Sequence, residues 1–214
     1  MFKRKIEINQ EETFSNIDSA REYSKQSEKS SKMRYGGFLK EISKLKIHGK
    51  YLDVGAGSGI VATMIAEQNR NINITALELS PIMITIGNEL IKEKGLQSQI
   101  KFINGNIEDS ELSNKLGKFD LVYSTFSLHH WEDLRKAVIN LMNYVNDDGA
   151  LIIYDLKRVW WLYCFPKNTG FFTSIRASYK PNEIIKIMNS INITKYKIKN
   201  IFPYFLQNII IWKK

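Results

Sequence analysis

The sequence predicts an alternating α/β protein on an open, mostly parallel sheet, and three observations carry that reading. A short apolar strand, Tyr51 to Val54, runs straight into three alternating glycines, Gly55, Gly57 and Gly59, and then into an apolar helix. Strand-like and helix-like stretches alternate from there to about residue 155. Near the C-terminus, two apolar strands are joined around Pro203-Tyr204 by a turn too short for a parallel crossover, so they pair antiparallel.

The elements follow in order. Polar helices from about Glu11 to Lys32 and Gly37 to Leu45 precede the first strand, about 50 to 54. A helix over 58–68 leads to a strand over 73–78 that ends in Glu78. Ser80-Pro81 opens the helix of 81–94, because serine caps free N–H groups and proline suits the first turn, and Gly95 stops it. Strands are expected at about 99–104 and 119–124. In the helix from Asp133 to Val145, Leu134, Val138, Leu141, Met142 and Val145 form one apolar stripe. A strand over about 150–155, a helix from Pro181 to Ser190 and strands Thr194–Ile201 and Phe205–Trp212 complete the chain. Neither a repeat nor a linker interrupts it.

At 214 residues and 43% hydrophobic, the chain can bury a sizeable core as one domain, 1–214. Within it, 1–48 reads as a helical cap, 49–214 as the core and about 156–180 as an aromatic-rich insertion. Cys164 is the only cysteine, which excludes an intramolecular disulfide or a cysteine-cluster zinc site and fits a reducing cytoplasm; it is expected to be buried or part of a lid. Met1 to Glu12 is charged and lacks a signal-peptide core, and no apolar run approaches the ~20 residues of a membrane span. A soluble, cytoplasmic protein is expected. The net charge of +9 invites a nucleic-acid partner, but the lysines are interleaved with glutamates, which reads as solvated surface.

The glycine turn lets the backbone approach a ligand closely and presents the free N–H groups of a helix start to an anionic group. Glu78, at the end of the next strand and roughly the ~20 residues on that a ribose-binding acid requires, can accept from a ribose diol. A dinucleotide fingerprint would place its third glycine at position 60, where Ile60 stands. Asp53-Val54-Gly55-Ala56-Gly57-Ser58-Gly59 instead resembles motif I of the class I S-adenosylmethionine-dependent methyltransferases. Ala76 to Pro81 is similar to the second motif of that family, Phe119 to Ser124 to its fourth, and Asp147 to Ile153 to the turn into its fifth strand.

The resemblance implies a Rossmann-like seven-stranded sheet in the order 3-2-1-4-5-7-6, with strand 7 antiparallel and helices on both faces. It implies S-adenosyl-L-methionine as cofactor and S-adenosyl-L-homocysteine as product, with no metal and no enzyme nucleophile. The methionine part is expected against Gly55, Ala56, Gly57, Gly59 and the backbone near Ser124, the ribose on Glu78, and the adenine between Leu79 and Ile107 near Asn106. Asp53 is expected to order the loop or to meet the amino group; Tyr23 and Arg34 are expected to close over the cofactor. Asn106 departs from the family's aspartate. Its side-chain carbonyl accepts the same bond without charge, and charge-assisted bonds are roughly twice as strong. Asp109 is the charged alternative.

After the fourth strand, Ser127-Leu128-His129-His130-Trp131 is similar to a stretch common in small-molecule methyltransferases. His129 or His130 is the general-base candidate; the competing reading is that both fix the loop and cap the next helix. Arg158 to Pro166 and Gly170 to Phe172 are dense in aromatics. They suit an apolar pocket with Tyr154 and Tyr179 near its mouth, a packed lid, or an interface with lipid or another subunit, while Arg158 and Arg176 offer themselves to an acidic substrate. Ser124-Thr125-Phe126-Ser127 lacks the Asn/Asp-Pro-Pro pattern of base-amine methylation, a single cysteine argues against arsenite chemistry, and no acidic trio stands where catechol-type enzymes bind magnesium. The expected function is methyl transfer to a small, partly apolar metabolite, against a regulatory scaffold without turnover or an RNA methyltransferase.

Overall fold

The computed structural model describes residues 2–5, 16–107, 112, 116–166 and 169–214. Its seven strands form one sheet in the order β3-β2-β1-β4-β5-β7-β6. The strands are β1 (Gly49–Val54), β2 (Ile72–Glu78), β3 (Ile100–Asn104), β4 (Phe119–Thr125), β5 (Val145–Leu156), β6 (Tyr196–Ile201) and β7 (Leu206–Trp212). β1 to β5 run parallel, and β7 runs antiparallel to both β5 and β6, as expected. The helices are α1 (Ile17–Lys29), α2 (Ser31–Leu45), α3 (Ile60–Gln68), α4 (Pro81–Glu93), α5 (Leu134–Asn143), α6 (Trp160–Tyr163), α7 (Gly170–Ala177) and α8 (Pro181–Ser190).

Side-chain alternation along the central strands builds two apolar layers. Tyr51, Ile74, Tyr123 and Ile152 face α2, α3 and α4, where Phe38, Ile42, Ile65 and Ile91 meet them. Leu52, Leu77, Val122, Leu151 and Ile153 face the other way, onto Leu134, Val138 and Leu141 of α5 and Ile184 and Met188 of α8. A strand buried on both faces must be apolar at nearly every position, which is why these segments read as continuous runs.

Among the described residues the first helix runs from Ile17, capped by Asn16, whose side chain accepts from the Asp18 N–H; the expected start at Glu11 lies outside them. Three other features differ from expectation. A new helix begins at Ser31 rather than at Gly37, because Ser30 interrupts the helix with its hydroxyl turned onto the Gln26 and Ser27 carbonyls. Val145 belongs to β5, paired with Phe119, and the register shifts between Phe119 and Leu121 before regular pairing resumes at Ala150. The connection after β5 contains α6 and α7, which composition alone did not indicate.

Candidate active site

β1 ends at Val54, and the chain turns through Gly55, Gly57 and Gly59, all at positive φ (71°, 56° and 73°). A Cβ on Gly55 would stand 2.6 Å from Ser127 Oγ, and one on Gly59 2.9 Å from the Phe102 ring, so the close approach as well as the backbone angle requires glycine. The Gly55 and Ala56 N–H groups donate to the Leu77 carbonyl at 2.9 and 3.2 Å, fastening the loop to β2. Glu78 reaches back across the turn, accepting from the Gly57 N–H at 2.8 Å and the Ser80 N–H at 2.9 Å. Each carboxylate oxygen retains acceptor capacity beyond that one bond.

Asp53 lies at the base of this loop and is buried, with neither carboxylate oxygen holding a hydrogen-bond partner. The Tyr123 hydroxyl stands near enough to influence it, yet the pair lacks hydrogen-bond geometry. Burial pushes the Asp53 carboxyl up to about 8, with Glu78 adding to the rise. A buried carboxyl without a donor is costly, and its position suits a ligand that brings its own donor. Ser124 is also buried, and its hydroxyl donates to the Val54 carbonyl at 2.8 Å, so only its backbone is available to a ligand.

On the β2–β3 side, Leu79 is exposed beside Glu78, and Asn104 holds this turn in shape by donating to the carbonyls of Glu78 and Leu79 at 3.1 and 2.9 Å. Asn106 is exposed and Ile107 half-buried on the neighbouring turn. Asp109 lies outside the described residues. Over the glycine loop sits α1: the Ser24 hydroxyl bonds the Ser58 hydroxyl at 2.8 Å, with Tyr23 exposed beside it. Arg34, on α2, lies 5.8 Å over the Phe126 ring just past β4.

The two histidines occupy a 3-10 turn, Leu128–His130, and differ sharply. His129 is buried; its Nδ1 lies 2.7 Å from Asp155 Oδ1, and its backbone N–H donates to Asp155 Oδ2 at 3.3 Å. The His130 ring packs against the His129 ring, tilted by 47° with 3.9 Å between centroids. Desolvation, then the neighbouring His129, push its imidazole down. Neither ring caps α5. That cap is Asp133, which accepts from the Lys136 N–H at 3.1 Å.

An N-terminal strap crosses this end of the molecule. Arg4 donates to the carbonyls of Ala177, His129 and Trp131 at 2.6, 3.1 and 2.6 Å and lies 4.0 Å over the Tyr179 ring. Arg158 and Arg176, expected as anion holders, are instead structural. Arg158 is buried, donating to the Ser178 carbonyl at 2.6 Å and pairing with Glu183. Arg176 donates to the Phe165 carbonyl at 2.7 Å, holding the aromatic segment in place. Tyr154 and Tyr179 are buried rather than at a mouth, and Cys164 is exposed at the end of α6.

Asp155, Ser24, Asn104 and Arg4 escaped sequence reasoning. Asp155 had a signal, being an acid inside the apolar run Leu151 to Leu156; the others are ordinary polar residues whose partners lie far along the chain. Among the described residues no His, Cys, Asp or Glu cluster could hold a metal ion, and no helix is long and apolar enough to cross a membrane.

Residues 52–153 match the family model of a methyltransferase domain. A ubiquinone biosynthesis O-methyltransferase of Rickettsia canadensis (strain McKiel) is 29% identical over 180 residues, covering 78% of this chain and 70% of that protein. One of Rickettsia conorii (strain ATCC VR-613 / Malish 7) is 30% identical over 173 residues, covering 75% and 54%. The chain therefore spans between about half and 70% of the length of these relatives. Among solved structures, a SAM dependent methyltransferase from Aquifex aeolicus superposes with a TM-score of 0.70 at 14% identity, covering 92% of this chain and 98% of that one. The plantazolicin methyltransferase BpumL, in complex with SAH, superposes at 0.71 and 16%, covering 94% and 92%. At these identities the superpositions establish the fold.

Proposed function

We propose that the chain is a class I S-adenosylmethionine-dependent methyltransferase, a cytoplasmic enzyme that methylates an oxygen of a small, partly apolar metabolite. The observation that carries the proposal is the glycine loop bolted to Glu78, with the unpartnered Asp53 carboxyl at its base. The relatives' printed activity, O-methyl transfer in ubiquinone biosynthesis, favours oxygen over nitrogen or carbon as the acceptor.

When bound, S-adenosylmethionine supplies an electrophilic methyl group. Glu78 would accept from the ribose hydroxyls with its remaining lone pairs, and Asp53 would meet the amino group of the methionine end. The backbone of Gly55, Ala56, Gly57, Gly59 and Ser124 would line that end, and Leu79, Asn106 and Ile107 would frame the adenine. Tyr23 and Arg34 belong to a cap of residues 1–48 that closes over the 49–214 core, and 156–180 forms the acceptor side.

His129, rather than His130, is the base. With Nδ1–H held on Asp155, Nε2 is the atom that takes the acceptor's proton, and the buried carboxylate stabilises the resulting imidazolium. Much of the remaining rate comes from positioning.

Parallel calorimetric titration with S-adenosylmethionine, S-adenosylhomocysteine and NAD tests the cofactor. Selective binding of the first two is expected, whereas preference for NAD or no binding overturns the reading. The base is tested by Asp155→Asn and His129→Gln on an identified acceptor. Turnover should fall by about 10² or more, with cofactor affinity within a few-fold of wild type. Normal rates across neutral pH in both variants would remove His129 from the chemistry.

A further inference from the structure

We propose that the outer face of the α6, α7 and β6–β7 hairpin region docks onto an anionic membrane surface. Six large apolar side chains gather there: Trp160, Phe202 and Tyr204 are 68%, 78% and 63% exposed, and Trp161, Phe165 and Phe171 are exposed as well. The patch is built rather than loose. Phe165 stacks on Phe172 at 4.8 Å, Phe172 meets Phe171 at 5.4 Å, and Phe171 and Trp161 both pack edge-on against Phe205 of the hairpin, at 5.4 and 6.4 Å. Arg176 fixes the segment from beneath through the Phe165 carbonyl. Trp160, Phe202 and Tyr204 therefore stand outward beside an anchored aromatic base.

Charge identifies the occupant. The expectation of interleaved lysines and glutamates holds only as far as Asp155. Residues 156–214 carry eleven Lys and Arg against a single acid, Glu183, a net +10, whereas residues 1–155 carry twenty against twenty-one. Glu183 is itself paired with Arg158. Part of that excess lies elsewhere, since Lys199 pairs with Glu41, Lys214 pairs with Asp147 and Asp148, and Lys213 reaches the Met142 and Val145 carbonyls at the other end of the sheet; the cations at the patch itself are fewer. Lys157 lies on its edge, reaching Asn200 at 2.8 Å, and Lys3 and Lys5 are exposed on the strap, whose Phe2 ring packs 4.9 Å from Tyr163.

Amphipathic rings at headgroup depth, flanked by cations that anionic lipids attract, make a surface that lies on a bilayer without spanning it. A second copy fits poorly, because closing patch on patch would bring two such cationic regions together.

The test is co-sedimentation of the full chain with phosphatidylcholine vesicles, with and without phosphatidylglycerol, at low and high salt. Binding to the anionic vesicles should exceed binding to the neutral ones by about tenfold or more and weaken with salt. The double variant Trp160→Ser, Phe202→Ser should lose about tenfold in vesicle affinity, with unchanged thermal melting and S-adenosylhomocysteine affinity. Equal or absent binding to both vesicle types overturns the proposal. So does a self-association, or an RNA affinity, that the double variant abolishes while vesicle binding is unaffected.

Discussion

Glu78 shows how one side chain can serve the fold and the proposed ligand at once. Its two oxygens already hold the Gly57 and Ser80 amides, so removing it strips acceptors from two part-buried donors as well as from a ribose. Glu78→Ala should therefore weaken S-adenosylhomocysteine binding by roughly 1.5 to 3 kcal/mol and lower the melting temperature. Glu78→Gln, which keeps one acceptor oxygen, should fall between; calorimetry and melting curves on the two variants separate the roles. Unchanged affinity in Glu78→Ala would remove the ribose assignment. Asp53 makes a prediction of opposite kind. Its carboxyl ionises near 4 in the unfolded chain but near 8 in the folded one. Below about pH 4 both states hold the proton and the folded state carries no penalty. As pH rises from about 4 through 8 the unfolded state ionises first and the native state loses stability, on the order of a few kcal/mol. Asp53→Asn should flatten this decline of melting temperature between pH 5 and pH 8.5; parallel slopes in the two proteins would show that Asp53 is not its source.

At the level of elements, the strap at Phe2 to Lys5 shows what local pattern cannot reveal. Arg4 joins three carbonyls from two distant segments, the histidine turn and the end of α7, and nothing near Arg4 in the sequence announces them. Arg4→Met leaves those carbonyls to water or to one another and should cost about 1 to 3 kcal/mol of stability. Hydrogen exchange at residues 128–131 should rise more than at β1. Uniform protection would reduce the strap to surface decoration. Elements whose order follows from short-range signals were legible in advance: the Ser80-Pro81 opening and Gly95 end of α4, and the apolar stripe of α5 as far as Leu141. Those decided by tertiary contact were not. Val145 continues the apolar stripe of α5, yet pairing with Phe119 draws it into β5. The aromatics of α6 and α7 suit strand as well as helix, and the contacts of Phe171 and Phe172 with Phe165 and Phe205 settle their place.

For the molecule as a whole, parallel strands deliver the ends of β1, β2, β4 and β5 to one end of the sheet, so Asp53, Glu78, the histidine turn and Asp155 stand at that end although they span about a hundred residues. The cofactor half was legible because Gly55 to Gly59 and Glu78 are close in sequence; the Asp155 partner of His129 was not, because only strand pairing unites them. This geometry also joins ligand binding to global stability. The loop is tied to β2 through Leu77, to the β2–α4 turn through Glu78 and to the cap through Ser24 and Ser58. A ligand seated on it bridges core and cap and binds only the folded chain. At about one hundred times its dissociation constant, S-adenosylhomocysteine should add about 2.7 kcal/mol. For a domain of this size that raises the melting temperature by about 5 to 10 °C. Ser24→Ala should keep most of the rise, since it touches only the cap contact, whereas Glu78→Ala should lose most of it at the same ligand concentration. If both variants kept the full rise, the ligand would be binding away from the glycine loop, and the convergence of the strand ends would need another explanation.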